Sequence, residues 1–297
     1  PLCRALRAKL AVHEKVPMEH ILCGNGAADL IFRLVWARKP RRALVTAPTF
    51  AEYATALKSV GCMVERFFLQ EQEDFAVTDA FCAAIRPGVD MVFLCQPNNP
   101  TGQLTALPLV EQILHRCAAC GTLLVVDECF LDFLPDHALH TAKGLLGEGD
   151  LVILKAFTKL YGMAGVRLGY ALSADTALLE QMQACGQPWG VSSLAQAAGL
   201  AALEETAYVE KVRALIAEQR PRLTAGLRAL GLRVLDGRAN YLLFQAPETL
   251  GEALRQRGAV LRSCANYPGL GPGWYRTAVR TGPENEQLLK LLAEVLE

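Results

Sequence analysis

The segment LVILKAFTKLYGMAGVRLGYAL (residues 151–172) decides the fold of this chain. Two apolar runs, 151–157 and 166–172, are joined by a short loop rich in small side chains. Lys159 lies in this loop, and Arg167 lies at the start of the second run. Both runs are continuously apolar rather than alternating, which is typical of strands buried on both faces of a mostly parallel sheet. We therefore predict two strands of a central sheet with the two cations close to their junction.

The residues before this segment repeat the same pattern of apolar runs and amphipathic stretches. The predicted strands lie at 43–46, 62–69, 91–95 and 122–128, and the predicted helices lie at 51–61, near 78–86 and near 105–119. Strands that alternate with helices indicate an α/β fold with a mostly parallel central sheet and crossover helices.

The composition changes near residue 192. An Ala/Leu/Glu/Arg-rich stretch at 192–219 predicts one long helix. Beyond it, short apolar runs alternate with helical patterns: strands at 233–235, 240–244, 259–263 and 275–280, a helix near 248–257 and a closing helix from 284. We therefore predict a large domain over residues 1–195 and a smaller C-terminal α+β domain over residues 196–297.

Composition narrows the class of function. The 297 residues contain 30 Lys and Arg and 30 Asp and Glu, and this balance argues against a nucleic-acid partner. A hydrophobic content of 52% excludes intrinsic disorder, and no apolar run approaches the roughly 18 residues that a membrane span requires. A soluble protein with a small-molecule site and no membrane partner is expected.

The cysteines and histidines predict no metal site. Ten cysteines are spread from Cys3 to Cys264 in mostly apolar settings, as expected for reduced core thiols of a cytosolic protein. Cys117 and Cys120 form a CxxC pair in a helical pattern, without a second pair at metal-ligand spacing. The five histidines show no ligand spacing either.

The beginning of the sequence bears on location. No charged-then-apolar signal pattern is present, so a cytoplasmic location is expected. The chain begins at Pro1 without an initiator Met, and we expect an N-terminal segment of the protein to be missing.

Polar side chains follow two predicted strands. QPNNPTG (96–102) comes directly after MVFLC, and its Asn amides can point into a crevice, although a plain turn explains the same residues. Asp127 and Glu128 end the next strand inside an apolar run. Because an unpaired buried carboxylate is costly, we expect a positive group close to Asp127.

The loop cations and a glycine turn add two further chemical possibilities. Lys159, if it is partly buried near other cations, has a lowered pKa and becomes a nucleophile, and Arg167 can hold a phosphate dianion. The alternative is that both residues are ordinary solvated cations on the surface.

The segment CGNGAADLIFRLVWA (23–37) predicts a glycine turn followed by a helix. The free N–H groups at the start of this helix form an anion site. It matches neither a dinucleotide fingerprint nor a P-loop.

Taken together, these motifs in this order resemble the fold-type I, pyridoxal-phosphate-dependent aminotransferase family over nearly the whole chain. The resemblance implies pyridoxal 5′-phosphate as cofactor and assigns eight positions to it. Lys159 is the catalytic residue, which binds the cofactor covalently and later moves protons, while Asp127 faces the ring nitrogen, Asn99 the ring O3′ and Phe50 the ring face. Gly26, Ala27, Thr158 and Arg167 hold the phosphate.

Some of these positions allow alternatives or depart from the family pattern. Phe50 could be simple core, and Tyr53 could line the pocket or pack in the core. Many relatives have Tyr where this chain has Phe130, and Ser or Thr where it has Ala156. The family's active sites lie between subunits, so the resemblance implies a homodimer, and the missing N-terminal segment supplies a Tyr to the neighbouring subunit.

The C-terminal motifs narrow the subfamily. GRANYLLF (237–244), LRSCANYPGLG (261–271) and WYRTAVRTGPENEQLL (274–289) resemble the threonine-phosphate decarboxylases of cobalamin biosynthesis more than the related histidinol-phosphate aminotransferases. The resemblance implies that Arg276 binds the substrate α-carboxylate and that Arg262 provides a second anionic contact. Arg280 could contest the role of Arg276, and Asn240 could lie near the carboxylate or serve a turn.

The expected function is therefore a lyase reaction, the decarboxylation of L-threonine O-3-phosphate to (R)-1-aminopropan-2-yl phosphate. Its partner is a small phosphorylated amino acid. An aminotransferase acting on histidinol phosphate or a related amino acid is the first alternative. A cofactor-binding but catalytically idle regulatory domain is the second.

Overall fold

The computed structural model describes residues 2–296. A seven-stranded sheet lies at its centre. Its strands are β1 (Ile21–Gly24), β2 (Arg42–Ala47), β3 (Met63–Phe68), β4 (Met91–Cys95), β5 (Leu123–Asp127), β6 (Leu151–Ala156) and β7 (Gly169–Leu172). They lie in the order β1-β7-β6-β5-β4-β2-β3, and the five strands from β6 to β3 are mutually parallel. Among the strands of this sheet, only β7 runs antiparallel to both of its neighbours. The predicted α/β fold with a mostly parallel sheet is therefore confirmed.

Helices cover both faces of this sheet. They are α1 (Arg4–Glu14), α2 (Ala27–Arg38), α3 (Glu52–Ser59), α4 (Ala80–Ala84), α5 (Leu107–Cys120), α6 (Phe157–Leu160), α7 (Thr176–Ala184) and α8 (Ser193–Ala202). Successive β5 residues belong to two different cores: Leu124 and Val126 pack with α1, α5 and α8, whereas Val125 packs with α2, α3 and α7. Burial on both faces explains the continuously apolar strands.

A second, four-stranded antiparallel sheet follows. It comprises β8 (Arg233–Val234), β9 (Tyr241–Gln245), β10 (Arg262–Ser263) and β11 (Trp274–Ala278) in the order β10-β11-β9-β8. Helices α9 (Thr206–Ala229), α10 (Leu250–Gln256) and α11 (Gly282–Leu296) pack on it around Leu223, Phe244 and Leu292. The division of the chain near residue 195 stays a prediction.

The structure differs from the sequence expectation in several elements. α1, β1 and α7 were not predicted, and the single long helix is two helices, α8 and α9, separated at 203–205. Leu203 ends α8 with its side chain buried in the core of the large sheet. Leu and Glu favour helix at these positions, so tertiary packing rather than propensity sets the break.

Two other expectations concern the cysteines and membranes. All ten cysteines are free thiols. The prediction that they are core residues is wrong for Cys185, which is exposed because it lies at the end of α7.

Among the helices of residues 2–296, none combines the length and hydropathy that crossing a bilayer requires.

Candidate active site

The carboxyl ends of β4, β5 and β6 meet the start of α2 around a cavity of about 170 Å³, here called the first cavity. Open α/β sheets place their ligands at this edge. The cavity is lined by most of the predicted cofactor-binding residues: Ala27, Phe50, Asn99, Asp127, Thr158, Lys159 and Arg167. Gly26 lies directly behind the Arg167 guanidinium. The fold therefore brings all eight positions together.

Asp127 ends β5 with its carboxylate at the wall of the first cavity. The residue is only 6% exposed. Its Oδ2 accepts a hydrogen bond from the Tyr53 hydroxyl at 2.6 Å, and its Oδ1 accepts one from the Cys129 backbone N–H at 3.0 Å. Within residues 2–296, no Lys, Arg or His forms an ion pair with it. The described part of the chain therefore gives Asp127 no ion-pair partner, and a bound cation in the cavity would supply the expected positive group.

The structure places Tyr53, which the sequence left open between core packing and pocket lining, in the core beside Asp127. Its ring is fully buried, stacks on Phe93 with centroids 4.8 Å apart, and meets Phe50 edge-on at 5.5 Å. Burial and the neighbouring Asp127 carboxylate raise the pKa of Tyr53 well above its usual value. Tyr53 is therefore both core and a permanent hydrogen-bond donor to Asp127. The segment APTFAEY carried the only signal, a Tyr three residues after Phe50.

Lys159 lies in the single-turn helix α6 and projects between two cavities. Its side chain is exposed, not partly buried as the sequence suggested. Its Nζ lies 5.2 Å from the centroid of the Phe130 ring, which in turn packs edge-on against Tyr241. Phe130, the departure from the family pattern, thus contributes an aromatic face to the amine and no hydroxyl.

The start of α2 and Arg167 form an end of the first cavity rich in hydrogen-bond donors. Gly26 precedes the helix with a φ of +83°, and a Cβ there would lie 2.6 Å from an Arg167 guanidinium nitrogen. Arg167 donates to the Ala164 carbonyl oxygen at 3.1 Å and has no carboxylate partner among residues 2–296. Free helix N–H groups beside an unpaired guanidinium are suited to an anion.

Asn99 links the first cavity to a second one. It is buried, and its Oδ1 accepts hydrogen bonds from the Arg276 guanidinium and, at 3.4 Å, from the Tyr267 hydroxyl. With its oxygen engaged in this way, the amide NH₂ group is the donor left for the first cavity.

The second cavity has a volume of about 430 Å³ and shares Phe130 and Lys159 with the first. Arg262 and Arg276 face each other across the antiparallel pair β10 and β11. Arg276 lies over the Tyr241 ring at 4.9 Å, and Arg262 lies over the Tyr267 ring at 5.7 Å.

Like charges directly opposite each other in a sheet are destabilising. In the part of the chain that the structure describes, neither Arg262 nor Arg276 forms an ion pair. Arg280, the alternative to Arg276, is paired with Glu284 at 3.2 Å. Asn240 also lines the cavity, and its buried Oδ1 has no hydrogen-bond partner. Among the arginines that line this cavity, the two predicted ones are therefore those without a carboxylate partner.

A buried charge cluster lies on the other side of β6, and the sequence analysis did not single it out. Lys155 contacts Asp132 at 2.8 Å, Glu14 at 3.5 Å and Glu128 at 3.8 Å. Glu128 also accepts hydrogen bonds from the Thr141 hydroxyl and the Ala142 N–H. Burial outweighs the attraction of Lys155 and raises the pKa of Glu128 to about 7. Of these residues, only Glu128 could be noticed in the sequence, because it is a carboxylate at the end of a predicted apolar strand.

Three potential metal ligands meet on the surface, although the sequence predicted no metal site. The side chains of Glu111, His115 and Glu148 bring their ligand atoms within 4.8 Å of one another. All three are exposed and lie outside both cavities, where acidic groups commonly cluster without an ion.

Comparison with known proteins identifies the family. The model of the aminotransferase class I and II family matches residues 3–295. The chain belongs to the class I and II aminotransferase family. Members of this family and the relatives of this chain depend on pyridoxal phosphate, and the chain is an enzyme with this cofactor.

The relatives include two activities. The chain is 40% identical over 295 residues to a threonine-phosphate decarboxylase from Salmonella typhimurium, covering 98% of this chain and 81% of that protein. It is 35% identical over 300 residues to a histidinol-phosphate aminotransferase from Symbiobacterium thermophilum, covering 99% and 81%. The crystal structure of the histidinol-phosphate aminotransferase from Clostridium acetobutylicum superposes with a TM-score of 0.93 at 26% identity, over 99% of this chain and 89% of that one.

Proposed function

We propose that this aminotransferase-family chain is a threonine-phosphate decarboxylase, which converts L-threonine O-3-phosphate to (R)-1-aminopropan-2-yl phosphate and carbon dioxide in cobalamin biosynthesis. The observation that carries the proposal is the pair Arg262 and Arg276, two facing cations without carboxylate partners in a cavity that contains Lys159. The proposed substrate has two anionic groups, a carboxylate and a phosphate. Each arginine therefore has an anion to bind.

The residues of the first cavity fit the cofactor of the family. The buried Asp127 carboxylate lacks a protein cation and suits a protonated ring nitrogen. Gly26 has no Cβ that would clash with the Arg167 guanidinium, so this cation lies against the residue that precedes α2. A phosphate group bound at the start of α2 would therefore be close to both residues. The amine of Lys159 lies on the same cavity wall and can form the covalent attachment.

The proposed contacts of the cofactor follow from this arrangement. Asp127 would face the ring nitrogen, Asn99 would donate to the ring O3′, and Phe50 would pack on the ring. The phosphate would be bound by the backbone at Gly26 and Ala27 and by the side chains of Thr158 and Arg167. Each hydrogen bond to a charged group contributes about 1.5–3 kcal/mol.

The proposed mechanism assigns separate tasks to the protein side chains. When bound, the cofactor supplies an electron sink for the bond that breaks at the substrate Cα. Asp127 would keep a proton on the ring nitrogen. Arg276 would hold the substrate carboxylate and set its orientation, which decides whether carbon dioxide or the Cα proton leaves. Lys159 then delivers a proton to Cα as a general acid.

Histidinol-phosphate aminotransferase is the second candidate, favoured by the 35% identical relative and by the superposed crystal structure. Histidinol phosphate has a phosphate and no carboxylate. It would leave one of the two facing arginines without an anion until a dicarboxylate second substrate binds. The decarboxylase substrate satisfies both arginines at once.

Two further proposals concern the architecture. We propose a division into a large domain (1–195) and a small domain (196–297). We also propose a homodimer, in which a second copy covers the open side of the cavity where Lys159 is exposed. Sedimentation of the holoenzyme tests the dimer, and a monomer at assay concentration would contradict it.

The test of function compares two sets of substrates with purified, cofactor-loaded protein. With L-threonine O-3-phosphate alone, we expect the amine product by mass spectrometry without any oxo acid. Amino transfer that appears only with histidinol phosphate and 2-oxoglutarate would favour the aminotransferase. Inactivity with both would favour the idle regulatory domain.

A further inference from the structure

Asp29 and Arg33 form an ion pair one turn apart on α2, and the proposed function uses neither of them. Arg33 Nε donates to Asp29 Oδ1 at 3.0 Å, and Arg33 Nη2 lies 2.9 Å from Oδ2. The Arg33 side chain is only 5% exposed, whereas that of Asp29 is 27% exposed. A guanidinium buried to this degree is usually fixed by its surroundings.

Asp29 lies in the first turn of α2 and contacts the residues that lead into the helix. Its Oδ2 also accepts a hydrogen bond from the Asn25 backbone N–H at 2.8 Å, one residue before Gly26. A carboxylate in the first turn stabilises the helix start. The same negative charge opposes a phosphate dianion bound at Gly26 and Ala27, unless a cation compensates it.

The loop at residues 186–190 is shaped around the Arg33 guanidinium. A Cβ at Gly186 would lie 2.2 Å from the Arg33 Cζ, and a Cβ at Gly190 would lie 2.5 Å from its Nη2. Two glycines therefore leave the space in which this guanidinium lies. Arg33 is held from one side by the loop and from the other by Asp29.

We propose that Arg33 is a positioning residue for phosphate binding. It neutralises Asp29 and fixes the turn at 25–27, so that the N–H groups in the first turn of α2, which begins at Ala27, bind a dianion without repulsion. The inference rests on the phosphate site of the proposed function, and it adds Arg33 and Asp29, which do not themselves touch the cofactor.

The test is a double-mutant cycle on the apoprotein: Arg33→Met, Asp29→Asn and both together. The measured quantity is the dissociation constant for pyridoxal 5′-phosphate, for inorganic phosphate and for pyridoxal, which lacks the phosphate. We expect Arg33→Met to weaken binding of the two phosphate-containing probes about 10-fold and to leave pyridoxal unchanged. The double variant should recover to within about threefold of the original affinity.

The control is Arg38→Met, a change of an exposed arginine in the last turn of the same helix, which should leave all three constants unchanged. Equal losses for pyridoxal and pyridoxal 5′-phosphate in Arg33→Met would overturn the proposal, as would a double variant no better than Arg33→Met. If Arg33→Met does not fold, Arg33→Lys keeps the charge and should retain phosphate affinity, and its loss would count against the proposal. An unmutated apoprotein that binds no pyridoxal 5′-phosphate would instead contradict the proposed function.

Discussion

Tyr53 donates its hydroxyl hydrogen to the Asp127 carboxylate at 2.6 Å, and both side chains are buried, with Asp127 at the wall of the first cavity. The stacked Phe93 and the edge-on Phe50 fix the orientation of the Tyr53 ring. Since the Cys129 N–H occupies the other carboxylate oxygen, the plane of Asp127 is held from two directions. The carboxylate is thereby aimed before the cofactor binds.

Tyr53→Phe removes one of these two hydrogen bonds without changing the ring. We expect the free energy of unfolding to fall by about 1–3 kcal/mol, because a buried charged acceptor loses its donor. Turnover should fall as Asp127 gains freedom. Denaturant unfolding of the apoprotein and turnover of the holoenzyme check both effects. Tyr208→Phe, in which a half-exposed tyrosine loses the hydroxyl that donates to the Leu160 carbonyl, is the control. Unchanged stability in Tyr53→Phe would contradict this role.

Lys159→Ala tests the covalent attachment. We expect turnover to be lost while the cofactor still binds noncovalently, because the remaining cavity contacts are intact. Mass spectrometry of the intact protein after borohydride reduction should show the added cofactor in the unmodified enzyme and not in the variant. Lys58→Ala changes an exposed lysine of α3 and should behave like the unmodified enzyme. Undiminished turnover in Lys159→Ala would rule out the assignment.

Arg276→Met tests the carboxylate contact in the second cavity. Loss of a charge-assisted hydrogen bond worth about 1.5–3 kcal/mol should raise KM for L-threonine O-3-phosphate by about 10- to 100-fold. Arg280→Met is the matched control, because Arg280 lines the same cavity but is already paired with Glu284. Steady-state kinetics of the two variants distinguish them. A larger effect in Arg280→Met would transfer the role to Arg280.

The buried Glu128 predicts a pH dependence of stability. Its folded pKa of about 7 lies above the ordinary value of 4.5, so the folded chain keeps a proton that the unfolded chain releases. The stabilisation from this proton is complete below about pH 4.5 and is lost as the pH rises to about 7, a contribution of roughly 3 kcal/mol. Lys155, which attracts the charged form, and Asp132, which repels it, are the charged groups facing Glu128.

Glu128→Gln keeps the shape and removes this titration. Denaturant unfolding from pH 4.5 to 7.5 should show a smaller loss of stability with rising pH in the variant. Glu14 acts in the opposite direction: burial alone raises its pKa, but Lys155 and Lys143 lower it to about 2, so its stabilisation is lost as the pH falls below about 4.5. Identical pH profiles for the variant and the unmodified protein would contradict the assignment to Glu128.

Much of the fold and of the site follows from local sequence signals. Continuously apolar runs locate the central strands, because both faces of the sheet are buried there. Lys159, Asp127 and Asn99 follow those runs directly, and parallel strands bring their ends to one edge. The first cavity therefore forms at the carboxyl ends of β4, β5 and β6, where these three residues lie.

Other features depend on contacts between distant segments, which no local pattern reports. The Tyr53 hydroxyl meets a carboxylate 74 positions later, and Lys155 joins Glu14 from the first helix. The pairing of Arg33 with the loop at 186–190 is likewise a product of the tertiary fold. The exposure of the Lys159 side chain is a further feature of this kind, because it depends on how the surrounding segments pack.

The most direct test of the proposed reaction follows carbon dioxide from L-threonine O-3-phosphate labelled with ¹³C in the carboxylate, with cofactor-loaded enzyme and no oxo acid. The proposal predicts labelled carbon dioxide over many turnovers, with one (R)-1-aminopropan-2-yl phosphate formed for each. Retention of the label in the amino acid, or its appearance in an oxo acid after a single turnover, would contradict it.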